Sequence, residues 1–333
     1  MQVKKIKFST AVTQMCFDAR FAELNTLVDP KNAVLITDEN IMALHAKAFK
    51  GWKVFTVKSG EEHKVQATAD ALHRQLIEAG CDRSTTLVGV GGGVVTDLAG
   101  YVAATFLRSV PHCFVPTTLL AMVDAAIGGK NGVDVGQYKN MVGTIKQPQA
   151  ILFDVSLLQT LPQREWSNGF AEIIKHAAIG NKKMFAALQG GSLTAFQKNG
   201  AALAQLVMQN VLYKARLVQR DEFEQGERRL LNFGHTIGHA IEQPYGLMHG
   251  EAVAIGMVSE ARLSEQLLGF KQTKDLLHTL EQYGLPHALE WNKKEVMSRI
   301  KSDKKRVGGT MHLPLLQQLG KALQQEVSVK EME

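Results

Sequence analysis

At 333 residues the chain exceeds what one compact core comfortably holds, so two packed domains are expected, and 45% hydrophobic with 21% charged residues excludes a disordered chain. The net charge of +6 comes from scattered lysines and arginines with few aromatics and no basic run, which argues against nucleic acid and leaves anionic small molecules as the expected ligands. Cys16, Cys81 and Cys113 are odd in number and lack CxxC spacing, so neither a disulfide framework nor a cysteine zinc site is expected and a cytoplasmic location is implied. The segment MQVKKIKFSTAV has no apolar stretch of signal-peptide length, and no run of about 18 apolar residues suggests a membrane span.

Taken in chain order, β-branched runs predict strands at 33–37, 53–57, 85–90, 112–115 and 150–154, with helical periodicity over 63–79 and 94–107. That alternation predicts a Rossmann-like parallel sheet with crossover helices. Asp38 and Asn40 follow the first of these strands and SGEEHK (Ser59 to Lys64) the second, at the carboxyl ends where nucleotide ligands sit. The strand at 85–90 runs into Gly91, Gly92 and Gly93 and then a helix containing Asp97. Glycines there let backbone N–H groups approach a pyrophosphate, although Val94 departs from the GxGxxG fingerprint and a plain tight turn is the simpler reading.

The next segment, 116–143, reads as a long loop carrying Asp124, Lys130, Lys139 and Asn140 among glycines. Its lysines could hold an oxyanion; a solvated surface loop is the alternative. Beyond residue 162 amphipathic segments at 165–178, 201–220, 228–242 and 251–268 dominate, with few strand signals. The domains are therefore expected at 1–162, α/β and nucleotide-binding, and at 163–333, mostly α-helical and bearing metal and substrate.

Glu172, Lys175 and His176 share one helix face at i, i+3 and i+4, where surface salt-bridging is the ordinary explanation. The stretch from Arg228 to Glu251, RRLLNFGHTIGHAIEQPYGLMHGE, is less ordinary. At about 100° per residue, Arg228, Asn232, His235, His239 and Glu242 fall within roughly 80° of a single expected helix, and an apolar helix with such a stripe should aim it at a cleft. His235, His249 and Glu172 have the composition of a catalytic zinc site, two imidazoles and one carboxylate with room for substrate. His239 is either a fourth ligand or a general acid/base.

Several phrases together resemble the 3-dehydroquinate synthase family of sugar phosphate cyclases: SGEEHK (59–64), GGGVVTDLAG (91–100), PTTLLAMVDAAIGGK (116–130), KN (139–140), LQTLPQRE (158–165), GFAEIIKHAAI (169–179), RDEFEQGERRLLNFGHTIGHAIE (220–242), HGEAVAIGM (249–257) and DKK (303–305). The resemblance implies one divalent metal per subunit on Glu172, His235 and His249, zinc by default and cobalt as the alternative. It implies NAD contacts at Asp38, Asn40, Ser59, Gly60, Glu61, Glu62, His63, Lys64, Gly93, Val94, Val95, Thr96, Asp97, Thr117, Thr118, Lys130, Lys139, Leu157, Leu158, Gln159 and Thr160.

For substrate it implies Asp124, Lys130, Asn140, Lys175, Lys214, Glu224, Arg228, Asn232, His239 and one lysine of the DKK pair, assigned to Lys304. Arg108 would cross to a neighbouring subunit's substrate phosphate in a homodimer. Departures from the family pattern fall at Ser109, Ala125, Ala126, Asn131 and Tyr138.

The family reaction converts 3-deoxy-D-arabino-heptulosonate 7-phosphate to 3-dehydroquinate and phosphate, in the shikimate route to aromatic amino acids. It proceeds by transient oxidation with NAD+, β-elimination, re-reduction and intramolecular aldol closure. Other cyclases, or a metal-dependent polyol or alcohol dehydrogenase of the same fold, are the competing enzymes; a catalytically dead NAD-binding scaffold is the competing non-enzyme. Asn232 and His239 match the dehydroquinate pattern, and the cluster of Lys130, Lys175, Lys214 and Arg228 suits an anionic substrate better than a neutral polyol.

Overall fold

The expected strands pair into a seven-stranded sheet in the computed structural model, which describes residues 1–136, 138–302, 310–328 and 331. In chain order the first nine strands are β1 (Gln2–Lys7), β2 (Val12–Phe17), β3 (Ala33–Asp38), β4 (Lys53–Val57), β5 (Thr86–Gly91), β6 (His112–Pro116), β7 (Lys130–Val135), β8 (Tyr138–Ile145) and β9 (Ala150–Leu152). The sheet order is β1-β2-β9-β6-β5-β3-β4. Only β1, at the edge, runs antiparallel to its neighbour.

Strands β3, β5 and β6 are buried along most of their length, which is why they read as continuous apolar runs rather than alternating ones. Edge strand β1 carries Lys4, Lys5 and Lys7, and charges of this kind discourage pairing with another chain. Crossover helices include α1 (Glu39–His45), α2 (Gln66–Glu78) and α3 (Gly93–Thr105). Because β3 lies between β4 and β5, the direction of winding reverses between β3 and β5. In open parallel sheets ligands bind outside the strand ends at that switch point, and Asp38 and Gly91 end the two strands that form it.

Two compact units emerge from the contacts: residues 1–161 with 200–223, and residues 162–199 with 224–333. This differs from a single boundary at 162, because helix α7 (Gly200–Arg220) belongs with the first unit. Its periodicity shows a helix but not which partner it covers. Lys214 donates to the Asp124 carbonyl at 2.7 Å, and Gln219 to the Lys7 carbonyl at 3.0 Å.

The second unit holds α4 (Gln163–Gly180), α5 (Lys182–Gln189), α6 (Leu193–Lys198), α8 (His235–Glu242), α9 (His249–Leu268), α10 (Thr273–Gln282) and α11 (Lys293–Ser302). It also holds an antiparallel hairpin, β10 (Thr310–Gln318) and β11 (Lys321–Ser328), which the sequence reading did not anticipate. Leucine and glutamine dominate the hairpin and favour helix locally. Burial of Leu313, Leu315 and Val327 against Leu263 of α9 overrides that preference, and Gly320 at φ +85° makes the turn.

Two further expectations need correction. The segment 116–143 is not one loop: it contains a π-helical turn, Ala121–Ala125, and the β7–β8 hairpin. Nor is 228–242 one helix. A 3-10 turn, Glu227–Asn232, ends at Phe233; Gly234 then takes left-handed angles (φ +79°, ψ −12°), and α8 begins afresh at His235. One left-handed residue resets the helix direction, so angles counted at about 100° per residue do not carry across Gly234.

Candidate active site

Helix α4 is buried from Trp166 to Ile179. Glu172, Lys175 and His176 are thus core residues, with side chains 0%, 1% and 0% exposed, and the surface salt-bridge reading fails. A buried carboxylate must be compensated by charge or hydrogen bonding. Lys175 pairs with Glu172. The Glu172 Oε1 atom lies 3.6 Å from His235 Nε2 and 3.5 Å from His249 Nε2, and one donor atom from each of the three residues falls within 4.8 Å of the others.

The two imidazoles differ in protonation. Burial, reinforced by the nearby Lys175 charge, drives His235 well below the ordinary imidazole value despite Glu172, so the ring is neutral. His235 Nδ1 sits 3.2 Å from the Phe233 carbonyl; an Nδ1–H donated there leaves the Nε2 lone pair facing Glu172. In His249, burial lowers the pKa but hydrogen bonds to Glu172 and Glu242 outweigh it and raise the value to about 10. Its Nδ1 is 3.2 Å from Glu242 Oε2, a carboxylate placed where it would orient the imidazole for a metal.

A cation on Nε2 would replace the proton there. Tetrahedral bonds of about 2.0–2.2 Å set donors about 3.3–3.6 Å apart, so the residues fit a zinc-sized cation.

Around this set, the His239 ring meets His235 edge-on at 5.2 Å between centroids and lies 6.2 Å from His249. Asn232 donates to Glu224 Oε1 at 2.7 Å, and Arg228 is buried on the same 3-10 turn. In the second unit, Glu172, Lys175, His235, His239 and His249 thus come together, and Arg228 and Asn232 share one turn with Glu224 hydrogen-bonded to Asn232. Lys304 lies outside the described residues.

The first unit assembles the other set. Asp38 caps α1, accepting from Ile41 N at 3.0 Å, and takes a hydrogen bond from Ser59 Oγ at 3.2 Å. The α3 N-terminus opens on Gly92 with no side-chain cap, leaving its first N–H groups for an anion. Beside it in space, Thr117 donates its N–H to the Gly91 carbonyl at 2.9 Å, and its Oγ1 is buried without a hydrogen-bond partner. An uncapped helix start and an orphaned hydroxyl suit a polar ligand such as a dinucleotide phosphate.

Lys64, 4% exposed, contacts Glu61 at 2.7 Å, Asp97 at 3.4 Å and Asp134 at 3.8 Å, and donates to Asn140 Oδ1 at 2.9 Å. Burial would lower its pKa, but the carboxylates of Asp97 and Glu61 win and raise it. Burial pushes Asp97 up to about 7 against the pull of Lys64. Asp134 was not anticipated from the sequence; the signal was a carboxylate in an otherwise apolar run, GVDV, on a buried strand.

Lys214 pairs with Asp124 Oδ1 at 2.6 Å. Lys130 and Lys139 are exposed, and Asn140 holds φ +56°. Leu157 and Leu158 are buried, so only their backbone could meet a cofactor, whereas Gln159 and Thr160 are exposed. Asn131, one of the departures, donates to the Gly129 carbonyl at 2.7 Å and the Lys146 carbonyl at 3.1 Å, bracing the peptide that leads into Lys130.

A nucleotide-type parallel sheet together with a buried Glu–His–His set defines a metal-competent α/β enzyme. Residues 54–168 match the family profile described as 3-dehydroquinate synthase N-terminal, and residues 169–306 the one described as 3-dehydroquinate synthase C-terminal. A 3-dehydroquinate synthase from Pyrobaculum neutrophilum is 42% identical over 85% of this chain and 84% of its own. Among solved structures, 2-deoxy-scyllo-inosose synthase complexed with carbaglucose-6-phosphate, NAD+ and Co2+ shares the fold at TM-score 0.88 and 23% identity, over 99% of this chain and 98% of that one.

The 2-epi-5-epi-valiolone synthase of Streptomyces hygroscopicus, with NAD+ and Zn2+ bound, aligns at TM-score 0.88 and 26% identity, over 100% and 96% of the two chains. The chain belongs to the 3-dehydroquinate synthase family. Its activity is the family's, formation of 3-dehydroquinate with loss of phosphate, as the resemblance implied.

Proposed function

We propose that this chain performs that reaction with one zinc ion held by Glu172, His235 and His249, and with NAD+ on the first unit's strand ends. The observation that carries the reading is the convergence of the two imidazole Nε2 atoms at 3.6 and 3.5 Å on one buried carboxylate oxygen. Cyclases of this fold hold NAD+ with Co2+ or Zn2+, which supports both cofactors and leaves cobalt as a substitute. When bound, the metal supplies polarisation of a hydroxyl and NAD+ a transient hydride acceptor.

The chain's own residues then bind and position. Asp38, Ser59 and the uncapped start of α3 suit the ribose and pyrophosphate of the nucleotide. Lys130, Lys175, Lys214, Arg228 and Lys304 serve as cations for carboxylate and phosphate, with Asn140 and Asn232 as neutral partners. Phosphate can act as its own base during elimination, so these groups need only orient it. His239, exposed beside the ligand histidines, is the acid/base for proton movement on the substrate oxygens. Glu224 orients Asn232, and Asp124 orients Lys214.

A homodimer completes the proposal, with Arg108 reaching the partner's substrate. Val135, Tyr138, Met141, Val142 and Ile145 of the β7–β8 hairpin, with Leu107 beside Arg108 in sequence, are exposed large apolar residues of the kind that mark a partner surface. Three cysteines without disulfides support a cytoplasmic location. Among the described residues no helix is long and apolar enough to cross a membrane.

The test is incubation of metal-loaded protein with NAD+ and the heptulosonate phosphate, following phosphate and 3-dehydroquinate together. Absence of both products, with zinc and NAD+ shown to be bound, would sink the assignment. A polyol dehydrogenase would instead accumulate NADH with glycerol, which a cyclase recycling its cofactor does not.

A further inference from the structure

His249 opens helix α9, whereas His235 follows a left-handed glycine at the start of a different, short helix. The spacing of the two imidazoles therefore depends on how the Gly234 turn is fixed to α9. Gly256 and Glu260 of α9 both meet that turn. Gly256 lets the backbones approach: a Cβ there would overlap the Gly234 carbonyl. One turn further on, Glu260, 1% exposed, accepts the Gly234 N–H on Oε2 at 2.8 Å. Gly234 is equally constrained, because a Cβ on it would lie 2.6 Å from the Val253 carbonyl.

At the other end of the site the same arrangement recurs. Asn168, one turn before Glu172 on α4, accepts the Gly250 N–H at 2.6 Å, and Gly250 directly follows His249. Each of the three proposed ligands thus lies about one helical turn or less from a buried side chain-to-backbone lock. A buried carboxylate is a costly acceptor for a helix-end N–H, which serine or asparagine caps cheaply. Its placement makes sense if position, rather than stability, is what it secures.

We propose that Glu260 is a positioning residue for the metal: through Gly234 it sets the backbone from which His235 aims Nε2 at Glu172. The inference rests on the metal-site reading above, and the test separates the two. Full-length protein is stripped of metal and titrated with Zn2+ against a chromophoric chelator, with circular dichroism and the melting temperature of the metal-free form measured alongside. Glu260→Ala should bind zinc about 10–100-fold more weakly, the usual effect of losing a partner that orients a ligand. Glu260→Gln retains a carbonyl acceptor and should stay within about threefold of the wild type.

Gly256→Ala alters no charge and raises helix propensity, yet should also weaken zinc by roughly tenfold by displacing Gly234. Wild-type affinity in Glu260→Ala or Gly256→Ala would overturn the proposal, whatever happens to the melting temperature. Equal losses in Glu260→Gln and Glu260→Ala would overturn it as well. Failure of the wild type itself to bind zinc, matching the ligand-deleted His235→Ala control, would remove the metal assignment and this inference with it.

Discussion

Among individual side chains, the two histidines one turn apart on α8 separate by environment. His235 is buried and neutral with Nε2 facing Glu172, whereas His239 is exposed and meets it only edge-on. His235→Ala should therefore lose zinc, measured as metal content after gel filtration, while His239→Ala should retain zinc and lose about 10²–10⁴ in kcat. Zinc loss in both variants would make His239 a ligand instead.

Ser109 offers a stability prediction. It stands where the family has glycine and adopts φ +122°, with Leu107 and Arg108 also at positive φ. Glycine would relieve about 1–3 kcal/mol of strain at a cost of about 0.5–1 kcal/mol in chain entropy. Ser109→Gly should raise stability by about 1 kcal/mol in urea unfolding; a fall would mean that the turn is not strained.

Between elements, Glu222 joins the β1–β2 turn to the end of α7. Its carboxylate accepts from Thr10 N at 3.1 Å, Thr10 Oγ1 at 2.6 Å, Gln147 Nε2 at 2.8 Å and Ser9 Oγ. Burial opposes ionisation, but these donors prevail and hold its pKa below the ordinary 4.5. A carboxyl whose folded pKa lies below its unfolded one adds stability that is full above the unfolded value and is lost as pH falls through the folded value. Glu222→Gln should cost about 1–2 kcal/mol at pH 7, and its melting temperature should converge on the wild type as pH falls through the folded carboxyl's lowered pKa. A gap that persists at low pH would mean that the loss is one of packing.

Elements also show what local sequence could and could not reveal. The parallel strands were legible because burial on both faces leaves uninterrupted β-branched runs, as in β3. Hairpin β10–β11 was not, since its leucines and glutamines become strands only by packing on α9. The proposed metal ligands could be named from the sequence as residue types, but the break at Gly234 and the Glu260 lock were hidden. Both depend on a backbone approach between α8 and α9 that no spacing along one helix records.

Across the whole molecule, net charge and composition pointed to an anionic small-molecule ligand without showing which copy of the chain supplies each cation. That question is decided by mixing two inactive proteins. In a symmetric dimer with Arg108 donated across the interface, Arg108→Ala and Lys175→Ala place their lesions in the same active site of a mixed dimer and leave the other site intact. Equal mixing with full subunit exchange makes half of the dimers mixed, so activity should recover to about a quarter of the wild-type level. If Arg108 serves its own subunit, each site of the mixed dimer carries one lesion and nothing returns. Recovery should also require the exposed hairpin: adding Tyr138→Lys and Met141→Lys to both proteins should yield monomers on gel filtration and abolish the rescue. Rescue that survives these two substitutions would show that the hairpin is not the interface that carries Arg108 across.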